Sequence, residues 1–296
     1  MIRALVLSGG GGKGAFEVGA LQYLIQQRQL EFDLFCGTSV GAINAAFLAQ
    51  GANWSEQAER SAALSAKWLS FSGNRDIYRR NRFGLFNLLF GGALFRPVGL
   101  NRMIQSMIKP QSLMAGKRLM IPAVALEDGQ LYFADSRKEA DCHEMDRFVL
   151  ASASIPVYFP PVEIRGKHWV DGGMRDLTPL SAVVNEYPDE IVVITTYPIS
   201  SNLEPVFSPF RQVHNTLAVI KRIFDILSAE IGSNDLRVVK KVSQRFTSIW
   251  QPQGVRIVLI APEQPLITGG LSFSPKLIRE YFKLGGQAAM KPRIFF

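Results

Sequence analysis

With 296 residues, 47% of them hydrophobic, the chain can bury a substantial core, which excludes a disordered protein and leaves one large domain or two. Lys and Arg outnumber Asp and Glu by 33 to 25, and the net charge of +8 favours anionic partners without choosing between nucleic acid and anionic lipid headgroups. No run of eighteen consecutive apolar residues marks a transmembrane helix, so a soluble, cytoplasmic protein is the expectation.

Met1-Ile2-Arg3-Ala4-Leu5-Val6-Leu7 sets a charge before an apolar run, but the run is too short for a secretory signal and ends in Ser8 and four glycines. Residues 3–7 therefore read as a strand. Ser8-Gly9-Gly10-Gly11-Gly12-Lys13-Gly14 is a loop, and a helix is predicted over 15–29, with Phe16, Ala20, Leu21, Leu24 and Ile25 at helical spacing. A second strand over 32–36 runs into Gly37-Thr38-Ser39-Val40-Gly41 and an alanine-rich helix over 40–50. This rhythm predicts a parallel sheet covered by helices. Cys36 lies in the second strand, so it and Cys142 are expected as buried or free thiols in a reducing compartment, and no zinc-ligand spacing is present.

A helix over 55–71 is predicted to turn Trp68 and Leu69 to its apolar side. A basic segment, Arg75-Asp76-Ile77-Tyr78-Arg79-Arg80-Asn81-Arg82, then feeds a glycine-punctuated apolar one over 83–95, read as an insertion packed over the sheet or as a cap that meets lipid. A helix over 98–108 precedes a strand over 118–126, a hairpin turn at Asp128-Gly129 and a strand over 131–133. A short helix over 146–153 leads to a proline-rich stretch, and a hairpin of 162–164 with 168–170 delivers Asp171-Gly172-Gly173. The remaining predicted elements are a helix over 179–186, a β-branched central strand over 191–194, a long helix over 210–231, a strand over 255–260 and a helix over 275–289.

Gly37-Thr38-Ser39-Val40-Gly41 has the sequence form of a nucleophile elbow, in which a tight strand-to-helix turn exposes a serine hydroxyl. Ser39 is thus the first candidate for a reacting atom. The preceding glycine loop admits three readings. Gly9-x-Gly11-x-x-Gly14 matches a dinucleotide fingerprint, but the acidic candidates Glu31 and Asp33 precede the end of the second strand. A phosphate-binding P-loop fails because Lys13 is followed by Gly14 and Ala15. The third reading is an oxyanion hole of glycine amides at a helix start, and it gains because Ser39 follows on the next strand, at the same sheet edge.

A serine nucleophile needs a base. The order Ser39, Asp171, His214 would suit a conventional triad, yet His214 falls in a predicted long helix, His168 beside Trp169 in a hairpin and His143 in a charged stretch. Asp171 is better placed, at a tight Asp-Gly-Gly turn, provided burial raises its basicity.

At these residues the chain resembles the bacterial patatin-like phospholipases. The likeness is carried by the loop Gly9-Gly10-Gly11-Gly12-Lys13-Gly14, the elbow around Ser39, Ser152-Ala153-Ser154-Ile155-Pro156 with Phe159-Pro160-Pro161, and Asp171-Gly172-Gly173, over residues 3–180. Asn234-Asp235-Leu236-Arg237 adds a less specific likeness. The resemblance implies a three-layer α/β/α sandwich with a mostly parallel central sheet, and hydrolysis of acyl esters of phospholipids, lysophospholipids or neutral lipids through an acyl-enzyme. It further implies a Ser-Asp dyad without histidine. Carried over, Ser39 is the nucleophile and Asp171 the base. The amides around Gly10, Gly11 and Gly12 form the oxyanion hole, with Gly9, Lys13 and Gly14 completing the loop. Gly37 and Gly41 shape the elbow, and Gly172 and Gly173 the turn after the base. No metal or cofactor is called for.

The partners expected are a lipid ester and, peripherally, an anionic membrane surface, with no nucleic acid. The whole chain, 1–296, is expected as one domain with a cap or lipid-contact insertion at about 72–97 and a helical C-terminal extension. One departure stands out: many relatives carry Asn shortly before the proline that follows Asp-Gly-Gly, where this chain reads Asp176-Leu177-Thr178-Pro179. The competing readings are a catalytically inactive lipid-binding or regulatory module of the same fold and, more distantly, a dinucleotide-binding oxidoreductase.

Overall fold

In β1 (Arg3–Leu7) Leu5 and Leu7 face one way and Ala4 and Val6 the other, and all four are fully buried. A strand with period-two alternation and both faces apolar must lie between two layers. The structure, a computed structural model that describes residues 1–82, 92–210, 215–245, 255–266 and 270–295, supplies both. After β1 come α1 (Gly14–Gln22), β2 (Leu34–Gly37), α2 (Val40–Ala49) and α3 (Trp54–Leu69). A small ribbon of β3 (Arg79–Arg80) and β4 (Phe95–Arg96) is followed by α4 (Val98–Met107) and α5 (Pro110–Ala115). The second half runs β5 (Arg118–Ala125), β6 (Leu131–Asp135), α6 (Glu139–Cys142), α7 (Met145–Ser152), β7 (Val162–Ile164), β8 (Lys167–Asp171), α8 (Leu180–Val184) and β9 (Glu190–Ile194). It closes with α9 (Thr216–Arg245), β10 (Arg256–Ile260), α10 (Pro275–Ala289) and β11 (Arg293–Phe295).

The main sheet has the order β11-β10-β9-β1-β2-β5-β8-β7, with β6 also on β5. The five strands β10, β9, β1, β2 and β5 are parallel, whereas β11, β6 and the β7–β8 hairpin join antiparallel. On one face α1, α2, α3 and α10 pack through Phe16, Leu48, Leu64 and Tyr281, and on the other α8 and α9 pack through Leu180, Val183 and Leu236. The fold is therefore an α/β/α sandwich. Both cysteines are free and buried. No helix among the described residues is long and apolar enough to cross a membrane.

One detail of the sheet places the site. β6 runs along one side of β5, pairing Met120 to Val124. The other side of β5 is shared: β2 pairs with its first half, up to Cys36 opposite Met120, and β8 with its second, where Asp171 is opposite Ala123. The end of β8 thus meets the end of β2 nearly head-on, and the residues just beyond them, Thr38-Ser39 and Gly172-Gly173, are brought together although more than a hundred positions separate them in sequence.

Several boundaries differ from the sequence reading for identifiable reasons. The helix predicted over 15–29 leaves α-geometry at Gln22 and widens into a π-turn over Tyr23–Gln27, closed by Gln29 at φ 52° and by the Leu30 N–H donating to Leu24 O at 3.0 Å. Leu69, expected on the apolar side of α3, is 40% exposed, while Trp68 is buried. The long helix predicted to stop at residue 231 runs on to Arg245. Of the 72–97 excursion, the described flanks are packed: the Tyr78 and Phe95 rings lie 4.4 Å apart, and the Leu94 and Phe95 amides donate to Val157 O and Tyr158 O. The apolar stretch at 83–91, on which lipid contact would depend, lies outside the described residues, as does His214.

Candidate active site

Ser39 occupies the turn between β2 and α2 with φ 57° and ψ −123°, a backbone conformation that costs a non-glycine residue energy and that persists only when its surroundings hold it. Those surroundings are specific. The Thr38 N–H donates to Leu7 O at 3.1 Å, the Thr38 hydroxyl to Asp176 O at 3.0 Å, and the Ser39 N–H to Ser152 Oγ at 3.1 Å. Gly41 allows the first turn of α2 to lie against β1, since a Cβ there would sit 2.5 Å from Ser8 O and 2.7 Å from Leu7 O. Gly37 is equally enclosed, against the backbone of Gly41 itself. Ser152, quoted above only as part of a likeness, thus has a definite contact: from the end of α7 it anchors the amide of the candidate nucleophile.

Asp171 ends β8 with its own N–H donating to Ser154 O at 3.0 Å. The side chain is 5% exposed, and burial pushes the carboxyl up to about 7. Two groups oppose that rise: the Gly173 amide, which donates to Asp171 Oδ1 at 2.8 Å, and the Ser39 hydroxyl facing the carboxyl. A carboxylate that titrates near neutrality is matched to proton abstraction at physiological pH. If Asp171 is the base, activity requires its ionised form. The kcat/KM profile for a non-ionising ester is then expected to fall tenfold per pH unit below a midpoint near 7, about three units above an ordinary carboxylate limb. A midpoint near 4 would remove Asp171 from that role.

The glycine loop closes over the same point. A Cβ on Gly9 would lie 3.0 Å from Ser39 Cβ, so the loop backbone abuts the serine. Thr196 at the end of β9 fixes the loop from behind, its hydroxyl donating to Gly9 O and its N–H to Ser8 Oγ. Among the described residues the amides of Gly10 and Gly11 donate to no protein acceptor, and they open a short helical turn that continues into α1, where the helix dipole favours negative charge. Gly12 differs from expectation: its N–H donates to Gly270 O at 2.6 Å. A segment from far along the chain, 270–273, crosses the loop, held by the Tyr78 hydroxyl on Leu271 O and the Phe273 N–H on Asn74 Oδ1. Gly11, at φ 56°, is where it comes closest, since a Cβ there would be 1.9 Å from Gly270 O. Of these three amides, those of Gly10 and Gly11 are left without an acceptor among the described residues, and that of Gly12 docks the crossing segment. Lys13 ends the helical turn, and Gly14 packs beneath Val40 and Trp68.

From Ser39 an apolar cavity extends between Val40, Ile43, Trp68, Leu100, Met103 and Phe273. Its free volume is about 30 Å³, far below the roughly 300 Å³ at which ligand pockets begin, so side chains must part before an acyl chain enters. Trp68 is held there by a buried polar chain: its indole N–H donates to Asn44 Oδ1 at 3.0 Å, and Asn44 Nδ2 donates to Glu17 Oε2 at 2.9 Å. Burial raises the Glu17 carboxyl well above its ordinary range, against the smaller opposing effect of Asn44.

The described histidines stand apart from this constellation. His143 is exposed, and His168 is exposed with Nδ1 2.8 Å from Glu127 Oε1. Asp235, in the stretch with a family look, meets Asp176 beside the Asp-Gly-Gly turn: burial and then the neighbouring Asp176 push the Asp235 carboxyl up, and burial raises Asp176 against the hydrogen bond it shares with Asp235. In the stretch Asp176-Leu177-Thr178-Pro179 the Leu177 methyl packs between Gly9 and Gly173, joining the glycine loop to the turn after Asp171 by apolar contact.

The chain is 25% identical over 303 residues to the uncharacterized protein YjjU of Escherichia coli K12, covering 95% of this chain and 74% of that one. It is 29% identical over 198 residues to a cGAMP-activated phospholipase of Escherichia coli TW11681, covering 58% of this chain and 52% of that protein, so the match spans about half of the relative's length. Among solved structures, VipD of Legionella pneumophila is a loose likeness, with 13% identity, a TM-score of 0.47, and coverage of 99% of this chain and 68% of that one. The family model of the patatin-like phospholipases matches residues 5–184, from β1 through α8, and the chain belongs to that family.

Proposed function

We propose that the protein is a serine acyl hydrolase that cleaves fatty-acyl esters of lipids with Ser39 as nucleophile and Asp171 as base. The observation that carries this reading is the meeting of a strained, buried serine with a buried carboxyl that titrates near neutrality, beneath two unengaged glycine amides. Ser39 Oγ attacks the ester carbonyl carbon as its proton passes to Asp171. The oxyanion that forms is met by the Gly10 and Gly11 amides, each such donor being worth roughly 2.7–4 kcal/mol. Collapse of the intermediate breaks the bond to the alcohol, which leaves with the proton from Asp171, and the acyl group stays on Ser39. A water molecule then gives its proton to Asp171 and attacks the acyl-enzyme. Release of the fatty acid returns the proton to Ser39.

The apolar cavity beside Ser39 supports an acyl chain as the group bound, and the phospholipase named among the relatives supports a phospholipid as the ester. The chain acts as a single catalytic unit, with Ile77 of the 72–97 excursion lining the cavity, and the net charge of +8 favours peripheral contact with an anionic membrane.

Hydrolysis of p-nitrophenyl butyrate by wild type and by His143→Ala, His168→Ala and His214→Ala tests the dyad against a triad. The three replacements are expected to leave kcat/KM within about threefold, because His168 is committed to Glu127 at the surface and a dyad needs no imidazole. Loss of turnover in any one of them would reinstate a triad.

A further inference from the structure

Phe71 and Met103 have two sides. On one they close the apolar cavity beside Ser39, and on the other they back a separate cleft of about 520 Å³ that opens to solvent. Its charge is one-sided. Lys67 reaches it from the last turn of α3, Arg75 and Arg79 from the segment that follows, and Arg102 from α4. The single lining carboxylate, Asp76, is committed to its own loop: its Oδ2 accepts from the Ser72 N–H at 2.6 Å, the Ser72 hydroxyl at 2.9 Å and the Gly73 N–H at 3.2 Å. Four cations against one carboxylate leave a net charge of +3.

Arg3, Lys117, Arg118 and Arg165 each hold a carboxylate within 3.0 Å. None of the four cleft cations forms an ion pair with a described residue, although Lys67 lies 5.7 Å from the centre of the Phe71 ring. Like charges gathered without partners repel one another, so a cleft of this kind is completed by an anion. Guanidinium groups match the paired oxygens of phosphate, and three of the four cations here are arginines. The volume falls within the roughly 300–1,000 Å³ of small-molecule sites, larger than a bare phosphate needs, which favours a phosphate carrying an organic group.

We propose that this cleft binds a phosphate ester, presented either by a phospholipid headgroup or by a soluble molecule. The headgroup form rests on the lipid-hydrolase reading above. Binding of a soluble phosphate ester does not. The cleft and the acyl cavity share a wall, and Lys67 and Arg102 are the chain neighbours of Trp68 and Met103, which line the cavity. An anion held in the cleft therefore bears on the residues that must part for an acyl chain.

The test uses the full chain as wild type, Ser39→Ala, the single variant Arg102→Gln, and the combined Arg75→Gln, Arg79→Gln and Arg102→Gln. Calorimetric titration with glycerol 3-phosphate probes the soluble form. Flotation with phosphatidylcholine vesicles, with and without phosphatidylglycerol, probes the headgroup form. Wild type and Ser39→Ala are expected to bind alike, the combined variant to lose at least tenfold and Arg102→Gln alone several-fold, so the result stands even if the combined variant fails to fold. Arginine-dependent binding of glycerol 3-phosphate assigns the site to soluble phosphate esters, and arginine-dependent flotation only with phosphatidylglycerol assigns it to headgroups. Binding of neither probe, or binding indifferent to the arginines, would overturn the inference. Arginine-dependent binding by a wild type that hydrolyses no ester would instead remove the hydrolase reading and leave the cleft.

Discussion

Ser39→Ala is expected to lower kcat/KM for p-nitrophenyl butyrate by on the order of 10⁴–10⁶, the scale on which loss of a serine nucleophile acts when the rest of its machinery is intact. The fold should survive. Alanine meets the same backbone strain at φ 57° as serine, and the contacts that hold the turn are made by backbone amides and by Thr38 and Ser152, which the substitution leaves in place. The variant is therefore expected to unfold within about 1 kcal/mol of wild type, as a change that touches neither packing nor a cap would. Activity within tenfold of wild type would place the chemistry elsewhere.

Asp171→Asn separates two consequences of one buried carboxyl. It keeps the shape, and an asparagine oxygen can still accept from the Gly173 amide, but it cannot take the serine proton. A loss of about 10²–10⁴ in kcat/KM is expected, the range of general-base contributions. Stability should move the other way. The folded carboxyl titrates near 7, well above its ordinary value of 3.8, so the unfolded chain ionises first and wild type loses stability relative to the variant as pH rises from about 4 to about 7. Below pH 4 the two proteins should unfold alike. Above pH 8 the variant should be the more stable, by on the order of 4 kcal/mol at full ionisation. Denaturant unfolding at pH 5 and pH 9 reads this directly, and a wild type that matches the variant at both pH values would mean that Asp171 is not desolvated.

Much of the architecture was legible because buried parallel strands leave a plain signature. The runs that became β1, β2, β9 and β10 are apolar on both faces, and the glycine loop and the elbow are local turns whose residue types are dictated by the turn itself. What escaped is non-local. The helix predicted to end at 231 runs on as α9 through Gly232, where a Cβ would lie 2.1 Å from Tyr197 Oη, so the glycine serves a contact with a residue far along the chain. The strand β11 is three residues long and exists by pairing Ile294 with Val258, a contact with no local pattern.

The site shows the same division. Ser39 and Asp171 were found from their own neighbourhoods, whereas the sharing of one side of β5 by β2 and β8, which brings them together, is a property of the sheet. The loss of the Gly12 amide to Gly270 could not be read at all, since 258 residues separate donor and acceptor and the acceptor stretch looks like any glycine loop. Arg75, Asp76 and Arg79 were visible in a basic run, but only the fold brings Lys67 and Arg102 to the same cleft and leaves cations in excess there.

The most direct test of the dyad is covalent. A fluorophosphonate ester should label the wild-type protein once, with the adduct mapped by peptide mass spectrometry to Ser39. Labelling should slow as pH falls through 7 with the ionisation of Asp171, and it should be absent in Ser39→Ala. A wild type that resists labelling while hydrolysing esters, or an adduct mapped to another residue, would contradict the account.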